Sequence, residues 1–406
     1  MSLQPLSGVR ILDLSRILAG PTCTQLLGDL GADVIKVERP KAGDDTRKWG
    51  PPYVKGKDGE DSSESAYYLC ANRNKRSIEI DIARPEGQAL IRQLLAHCDI
   101  LVENYKVGGL DKYGLSYEKL RQEFPSLIYC SITGFGQDGP YANRGGYDYL
   151  AQGMGGIMSV TGPVDGLPMK VGVAVADVMC GMYASTAILA ALRHRDHTGK
   201  GQHIDCCLLD TQVAWLVNQA TNYLVSGTSP ERQGNEHPNI VPYRTFEVSD
   251  GHIILAVGND GQFRKWCEFS GCGEIADDPR FATNEARVKN RAALHALMEP
   301  ILAGKSMQDW LDGLEKAGVP CGPVNTIEQV FQDPQVQHRG MRIEMDHPLS
   351  ETGKVPLVGN PVKFSETPVQ YRNAPPTLGQ HTDEILREIL QADDGEIKRL
   401  RETGII

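Results

Sequence analysis

Three features of the chain could carry chemistry. The first is Asp177, a lone carboxylate in Lys170-Val171-Gly172-Val173-Ala174-Val175-Ala176-Asp177-Val178-Met179-Cys180-Gly181-Met182, at the head of a long, otherwise uncharged run. Such a group either complements the N-terminal end of a helix or acts as a nucleophile or base at the mouth of a cleft. The residues alone leave both readings open. The second feature is Ser15-Arg16-Ile17-Leu18-Ala19-Gly20-Pro21, which follows an apolar run. A Gly-Pro pair opening a helix leaves backbone N–H groups facing the crevice at a strand's C-terminal end, which suits an anion. A plain tight turn is the alternative. The third is a set of basic residues near strand termini: Arg39 after Val37, Arg73, Lys75 and Arg76 before Ile78, and Lys106 and Lys112 after Glu103. A phosphate-rich ligand needs several such groups. In a parallel sheet, strand starts and strand ends lie on opposite sides, so these residues do not all line one pocket. Solvated surface charge is the alternative for each.

What is missing narrows the chemistry. No phosphate-binding G-x-x-x-x-G-K-[ST] occurs, and no G-x-G-x-x-G joins the first strand to its helix, so no nucleotide cofactor is expected. The ten cysteines form no C-x-x-C pair and no zinc spacing. They read as reduced thiols of an intracellular, cytoplasmic protein, and no metal is expected. Lys and Arg number 42 against 52 Asp and Glu, a net charge of −10. That disfavours nucleic acid and anionic membrane as partners, and any anionic ligand must be gripped by a local cationic cluster. The apolar stretch Val178–Leu192 is only about 15 residues long, short for a bilayer span, and Thr211–Pro230 is too polar. Val9–Leu14 is too short for a signal peptide and contains Asp13.

The elements that must position these groups read as α/β. Strands are expected at Val9–Leu14, Asp33–Val37, Ser77–Asp81, Ile100–Glu103, Leu127–Ile132 and His203–Leu208. Helices at Thr22–Leu30, from Pro85, and around Tyr117–Phe124 alternate with them, the pattern of a Rossmann-like parallel sheet. Asp45–Glu64, rich in Gly, Pro, Lys and Asp, reads as an exposed loop. Val175–Arg195 is a long helix whose small residues (Gly181, Ala184, Ser185, Ala187, Ala190, Ala191) admit a close neighbour. Thr211–Ser226 is a second long helix. At 406 residues, two or three domains are expected. The large domain takes residues 1–226, a Gly/Pro/Asn-rich linker spans 227–242, and a smaller α+β domain covers 243–325. The small domain opens with a hairpin turning at Asp250-Gly251 and continues through helices at Glu285–Leu302 and Met307–Ala317. Residues 326–406 return to the large domain, with strands at Met341–Met345 and Val362–Phe364 and a last helix near Asp383–Leu390.

The segments Leu12-Asp13-Leu14-Ser15-Arg16-x-Leu18-Ala19-Gly20-Pro21 and Leu30-Gly31-Ala32-Asp33-Val34-Ile35-Lys36-Val37-Glu38 resemble the class III coenzyme A transferases (the CaiB/BaiF family, with the carnitine and formyl-CoA transferases). The likeness continues in order through Asn74-Lys75-Arg76-Ser77, Val102-Glu103-Asn104-Tyr105, Ile132-Thr133-Gly134-Phe135-Gly136, Thr198-Gly199-Lys200-Gly201-Gln202, Gly322-Pro323-Val324 and Leu378-Gly379-Gln380-His381-Thr382. Within the family, Gly43-Asp44-Asp45-Thr46-Arg47, Trp49-Gly50-Pro51-Pro52, Asn72-Arg73-Asn74-Lys75, Tyr129-Cys130-Ser131-Ile132-Thr133-Gly134 and Ile240-Val241-Pro242-Tyr243 are most similar to the succinyl-CoA:glutarate type.

The resemblance implies that Asp177 is the catalytic nucleophile. It also implies CoA contacts at Leu18, Ala19, Arg39, Ile80, Asp81, Ile82, Ala83, Asn104, Tyr105, Lys106 and Lys112, and an interlocked homodimer. The substrates it implies are an acyl-CoA and a carboxylic acid. Trp49 and Tyr147 are candidates to line the acyl pocket, Arg16 and Arg47 to meet a distal carboxylate, and His237 to reach the cleft. Two departures speak against formyl or oxalate transfer: Leu18 stands where formyl-CoA transferases carry glutamine, and only Val257-Gly258-Asn259-Asp260-Gly261 stands in place of their glycine-rich lid. The racemase branch carries histidine where Tyr147 stands, and a phenol is a poor α-proton base. The remaining alternatives are transfer to another acid, a CoA-ester racemase, or a CoA-binding protein without catalysis.

Overall fold

The computed structural model describes residues 3–406. The chain divides into two units, one made of residues 1–157, 171–226 and 335–406, the other of 158–170 and 227–334. The first is built on six strands: β1 (Arg10–Asp13), β2 (Asp33–Glu38), β3 (Lys75–Glu79), β4 (Ile100–Glu103), β5 (Ile128–Thr133) and β6 (His203–Cys207). They lie in the order β3-β2-β1-β4-β5-β6, every neighbouring pair parallel. The order reverses beside β1, between β1 and β4, and a crevice opens there at the strands' C-terminal ends.

Alternation along each strand fills both faces. Ile11, Val34 and Ile100 point to one side with Cys23, Leu27, Cys180, Ala184 and Ile188. Leu12, Ile35 and Leu101 point to the other, with Leu90, Ile91 and Leu94. That second face is completed by Ile385, Leu386, Ile389, Leu400 and Ile405 from the far end of the chain. Helix Thr382–Leu390 also covers the open edge at β3, where Arg76 pairs with Glu384 and Glu388 at 3.0 and 2.7 Å. An exposed edge strand is an aggregation hazard, and this return covers it.

The helices that matter for the site are α1 (Ala19–Asp29), α2 (Asp148–Met154), α3 (Val175–Thr198), α4 (Leu208–Ala214) and α5 (Val217–Ser226). The small residues of α3 let α1 pack closely. A Cβ on Gly181 would lie 2.6 Å from the Ala19 carbonyl oxygen. By length and composition α3, with 24 residues, could cross a membrane, but half of its apolar window is buried inside this unit.

Several expectations are corrected. Asp45–Glu64 is not a featureless exposed loop: it forms a helical turn at Asp45–Lys48 and the hairpin Tyr53–Lys55/Asp61–Ser65, with Thr46, Arg47 and Glu64 buried. The helix expected at Thr211–Ser226 is two helices, broken before Val217, whose φ is +46°. The second strand of the tail is Lys354–Val358, paired with Arg342–Asp346, rather than Val362–Phe364. In a two-stranded ribbon Pro356 faces no second neighbour that needs its missing N–H.

Arg73, Lys75 and Arg76 are buried rather than solvated. Arg73 forks onto Asp29, and Lys75 Nζ reaches Asp13 (3.2 Å), the Pro21 carbonyl (3.0 Å) and Asn72 (3.0 Å). Burial, joined by the neighbouring Lys36 charge, pushes the Lys75 ammonium down to about 8 despite Asp13. Lys36 is equally buried and joins the Ser15 carbonyl (3.0 Å) to Asp44 (2.9 Å). These buried pairs fix the Asp13–Ile17 turn from below, where fully hydrogen-bonded ion pairs specify geometry more than they add stability.

The second unit carries the antiparallel sheet β7 (Tyr243–Val248), β8 (Gly251–Ala256), β9 (Cys321–Pro323) around a core with Trp266, Trp310, Phe246 and Phe263. It takes in residues 227–242 and runs to residue 334, and side chains of 227–242 are anchored within it. Glu236 accepts from Arg244 and Arg291 at 2.8 Å each, and Arg232 donates to the Gly166 carbonyl at 2.7 Å.

Candidate active site

The turn after β1 is the floor of the site. Asp13, fully buried, accepts from the Ser15 N–H (2.9 Å), the Ser15 hydroxyl (2.5 Å) and the Thr24 hydroxyl (2.6 Å). Ile17 is held at φ +74°, a strained conformation for a β-branched residue, while its N–H donates to the Asp44 carboxylate. Gly20 is required next: a Cβ there would lie 2.3 Å from Ser15 Cβ. The result is a start of α1 with no side-chain cap, and Leu18 and Ala19 at its opening line a cavity of about 870 Å³.

The wall of that cavity also includes Arg16, Trp49, Asn104, Tyr105, Lys106 and Lys112, and Asp177 and Tyr147 open onto it. Gly134 and Gly146 line it as well, and they touch backbone to backbone, since a Cβ on Gly134 would lie 2.4 Å from Gly146 Cα. A second cavity of about 330 Å³ holds Arg39 and Ile80, Asp81, Ile82 and Ala83. The two share Arg16, Tyr105 and Tyr113, so the groups expected to grip one long ligand lie along one groove. Two joints hold its middle. Asn104 exchanges hydrogen bonds with the Arg16 backbone at 2.9 and 2.7 Å, and Glu103 accepts the Tyr105 N–H at 2.7 Å.

Asp177 lies in the first turn of α3, yet it does not cap the helix. Asp148, on α2, accepts the Ala176 N–H (2.8 Å) and the Asp177 N–H (3.4 Å) instead. The Asp177 carboxyl has no hydrogen-bond or ion-pair partner among the described residues. Burial, and secondly the Asp148 charge, push it up to about 7, some way above an ordinary aspartate. The Tyr67 phenol, edge-on to Trp49 at 5.1 Å, is pushed up to about 12 by burial and then by the Asp177 charge. A half-buried carboxyl held near neutrality and facing a cavity is a group poised for nucleophilic or acid–base work.

The family model described as "CoA-transferase family III" matches residues 6–382. The chain belongs to CoA-transferase family III. As a CoA-transferase it takes CoA thioesters as substrates. It is 53% identical over 386 residues to "Succinate--glutarate CoA-transferase" of Agrobacterium fabrum, covering 95% of this chain and 96% of the relative. It is 46% identical over 405 residues to "Succinyl-CoA:glutarate CoA-transferase" of Homo sapiens, covering 100% of this chain and 90% of the relative. Among solved structures it resembles a CAIB/BAIF family protein from Brucella suis, with TM-score 0.84 and 53% identity, covering 96% of this chain and 100% of that one.

Of the residues expected at the transferase site, the structure does not bring Arg47 to the groove. Its guanidinium is 5% exposed and is spent on Glu38 (2.7 and 2.8 Å), Glu64 (3.0 Å) and the Tyr68 ring (3.7 Å). A buried arginine with two carboxylates is a structural joint, out of reach of substrate. His237 belongs to the second unit, where its Nδ1 accepts the Asn239 N–H and its ring leans on Tyr243. Sequence reasoning missed Asp148, Tyr67 and Arg144. Arg144 lines the cavity and rests on Phe135 and Tyr141 at 5.2 and 4.7 Å. The Gly145-Gly146 pair beside Arg144 was the available signal of a close approach. Nothing local marks Asp148 as the partner of a helix that begins 27 residues later. Among the described residues no group of three or more His, Cys, Asp or Glu side chains is placed to hold a metal ion.

Proposed function

We propose that this CoA-transferase moves CoA from succinyl-CoA to glutarate or a closely similar dicarboxylate, with Asp177 as the covalent relay. The observation that carries the mechanism is the unpartnered Asp177 carboxyl facing the same cavity as the cationic groove. The names of the relatives at 46–53% identity support the substrate pair.

In this reading the CoA moiety lies along the groove. Arg39 and Ile80–Ala83 take its nucleotide end, Lys106 and Lys112 meet phosphate charge, and Leu18, Ala19, Asn104 and Tyr105 flank the pantetheine arm. An Asp177 carboxylate oxygen attacks the thioester carbonyl, the C–S bond breaks, and an acyl-aspartyl anhydride and CoA thiolate result. The thiolate then attacks the aspartyl carbonyl, releasing succinate and leaving an aspartyl-CoA thioester. The acceptor carboxylate reverses both steps, and the thioester's free energy is conserved so long as water is kept out. The uncapped N–H groups at the start of α1 are oxyanion donors offered by the cavity, each worth about 3 kcal/mol in the transition state. Trp49 and Tyr147 line the acyl end. A distal carboxylate needs a charge-assisted partner. Arg16 already holds Asp45 at 2.5 Å, whereas Arg144 has no carboxylate partner among the described residues.

We further propose a cytoplasmic homodimer. All ten cysteines are free thiols, including Cys180 and Cys206 with their sulfurs 3.5 Å apart, as in a reducing compartment. Met182, Tyr183 and Leu189 on α3 and Leu224 and Val225 on α5 are exposed apolar side chains that a second copy would cover. A stable monomer in sedimentation would reject the dimer. For the substrate, steady-state turnover of succinyl-CoA should be far faster with glutarate than with oxalate. The reverse preference would sink the assignment.

A further inference from the structure

We propose that Asp148 is the positioning residue of Asp177: from a separate helix it takes the hydrogen-bonding place of an N-cap, and so leaves the Asp177 carboxyl facing the cavity. The inference rests on Asp177 being the nucleophile. An ordinary N-cap side chain accepts from the second or third N–H of its helix. In α3 the N-cap residue is Ala174, which has no atom to do so. Asp148 Oδ1 supplies the missing acceptor to Ala176 and Asp177 at 2.8 and 3.4 Å. Its Oδ2 accepts from Gln152 Nε2 at 2.8 Å, and the buried Gln152 Oε1 accepts the Val171 N–H at 2.9 Å. One turn of α2 therefore clamps both the segment entering α3 and the first turn of α3. Without it those N–H groups lose their acceptor, and Asp177, the acidic residue of the same first turn, would be drawn back onto them and away from substrate.

The charge of Asp148 also stands beside Asp177 and disfavours its ionisation. The other titratable or charged groups around Asp177 are Tyr67 and Cys180, both pushed up and so neutral near pH 7, together with Tyr147 and the cavity's Arg16, Asp45, Tyr105, Lys106, Lys112, Tyr113 and Arg144.

The test is single-turnover acyl transfer from succinyl-CoA to the protein across pH 5 to 9, with steady-state turnover to glutarate for KM, using Asp148→Asn, Asp148→Ala and Asp177→Ala with circular dichroism as the folding control. Asparagine keeps an oxygen for the helix N–H groups and removes the charge. Its acid limb should move down by about half a pH unit or more, with the KM for succinyl-CoA unchanged. Alanine removes both, and its rate should fall about tenfold, again without a change in KM. Wild-type pH profiles and rates in both Asp148 variants, or a loss confined to KM, would overturn the inference. Transfer retained by Asp177→Ala would instead overturn the nucleophile itself, whatever the Asp148 variants do.

Discussion

Replacing the Asp177 carboxyl should stabilise the protein, and by an amount that depends on pH. Asp177 is shifted from an ordinary 3.8 to about 7, mainly because its half-buried carboxyl loses solvation. At about 1.36 kcal/mol per pH unit, holding it ionised in the folded state costs about 4 kcal/mol as an upper bound, and about 2 kcal/mol once water penetration is allowed for. The folded chain binds more protons than the unfolded one between about pH 4 and 7. Stability therefore falls as the pH rises through that window, and the full cost is present above it. An asparagine side chain at this position would bear no such cost, and no hydrogen bond to the side chain is lost. Asp177→Asn should thus exceed wild type by about 2–4 kcal/mol in urea unfolding at pH 8, with the gap closing as the pH falls toward 4. A variant less stable than wild type at pH 8, or a gap that does not change with pH, would refute the account of why this carboxyl is poised.

Other outcomes follow from the joints that shape the groove. Lys75→Met leaves Asp13 buried without its ammonium and should cost about 3–5 kcal/mol in chemical denaturation, part of it recovered in Asp13→Asn/Lys75→Met. Gly134→Ala forces a Cβ to within 2.4 Å of Gly146 Cα, backbone against backbone. A displacement of the cavity wall by about 1 Å should cut kcat/KM about a hundredfold while the protein stays folded. Arg39→Ala should raise the KM for succinyl-CoA about tenfold and leave kcat nearly unchanged, as expected for a contact made equally in ground and transition states.

The sheet was legible because its signal is local. Runs dominated by apolar residues, such as Val34-Ile35-Lys36-Val37 and Ile100–Val102, separated by helices of the right length, allow little except parallel strands. Asp177 and the expected CoA contacts that line the two cavities were singled out by the family resemblance; the residue types and strand ends alone left a cap and solvated charge as open readings. The buried charges were not. Lys36, Lys75 and Arg47 look like surface residues until Asp44 and Glu38, eight and nine residues away, fold back across the loop after β2 and Asp13, 62 residues away, is brought beside Lys75 by a crossover. Arg47 misled for this reason, since an arginine beside Trp49 reads equally well as a substrate contact or as half of a buried pair. The break before Val217 was hidden because Trp215-Leu216 carries neither Gly nor Pro.

A covalent relay at Asp177 leaves a chemical trace that can be trapped. The protein is mixed with succinyl-CoA, quenched with hydroxylamine or borohydride, digested and mapped by mass spectrometry. A hydroxamate or reduced side chain should appear at Asp177 and be absent when succinyl-CoA is omitted. Active transferase with no adduct at Asp177, or with the adduct on another residue, would contradict the relay.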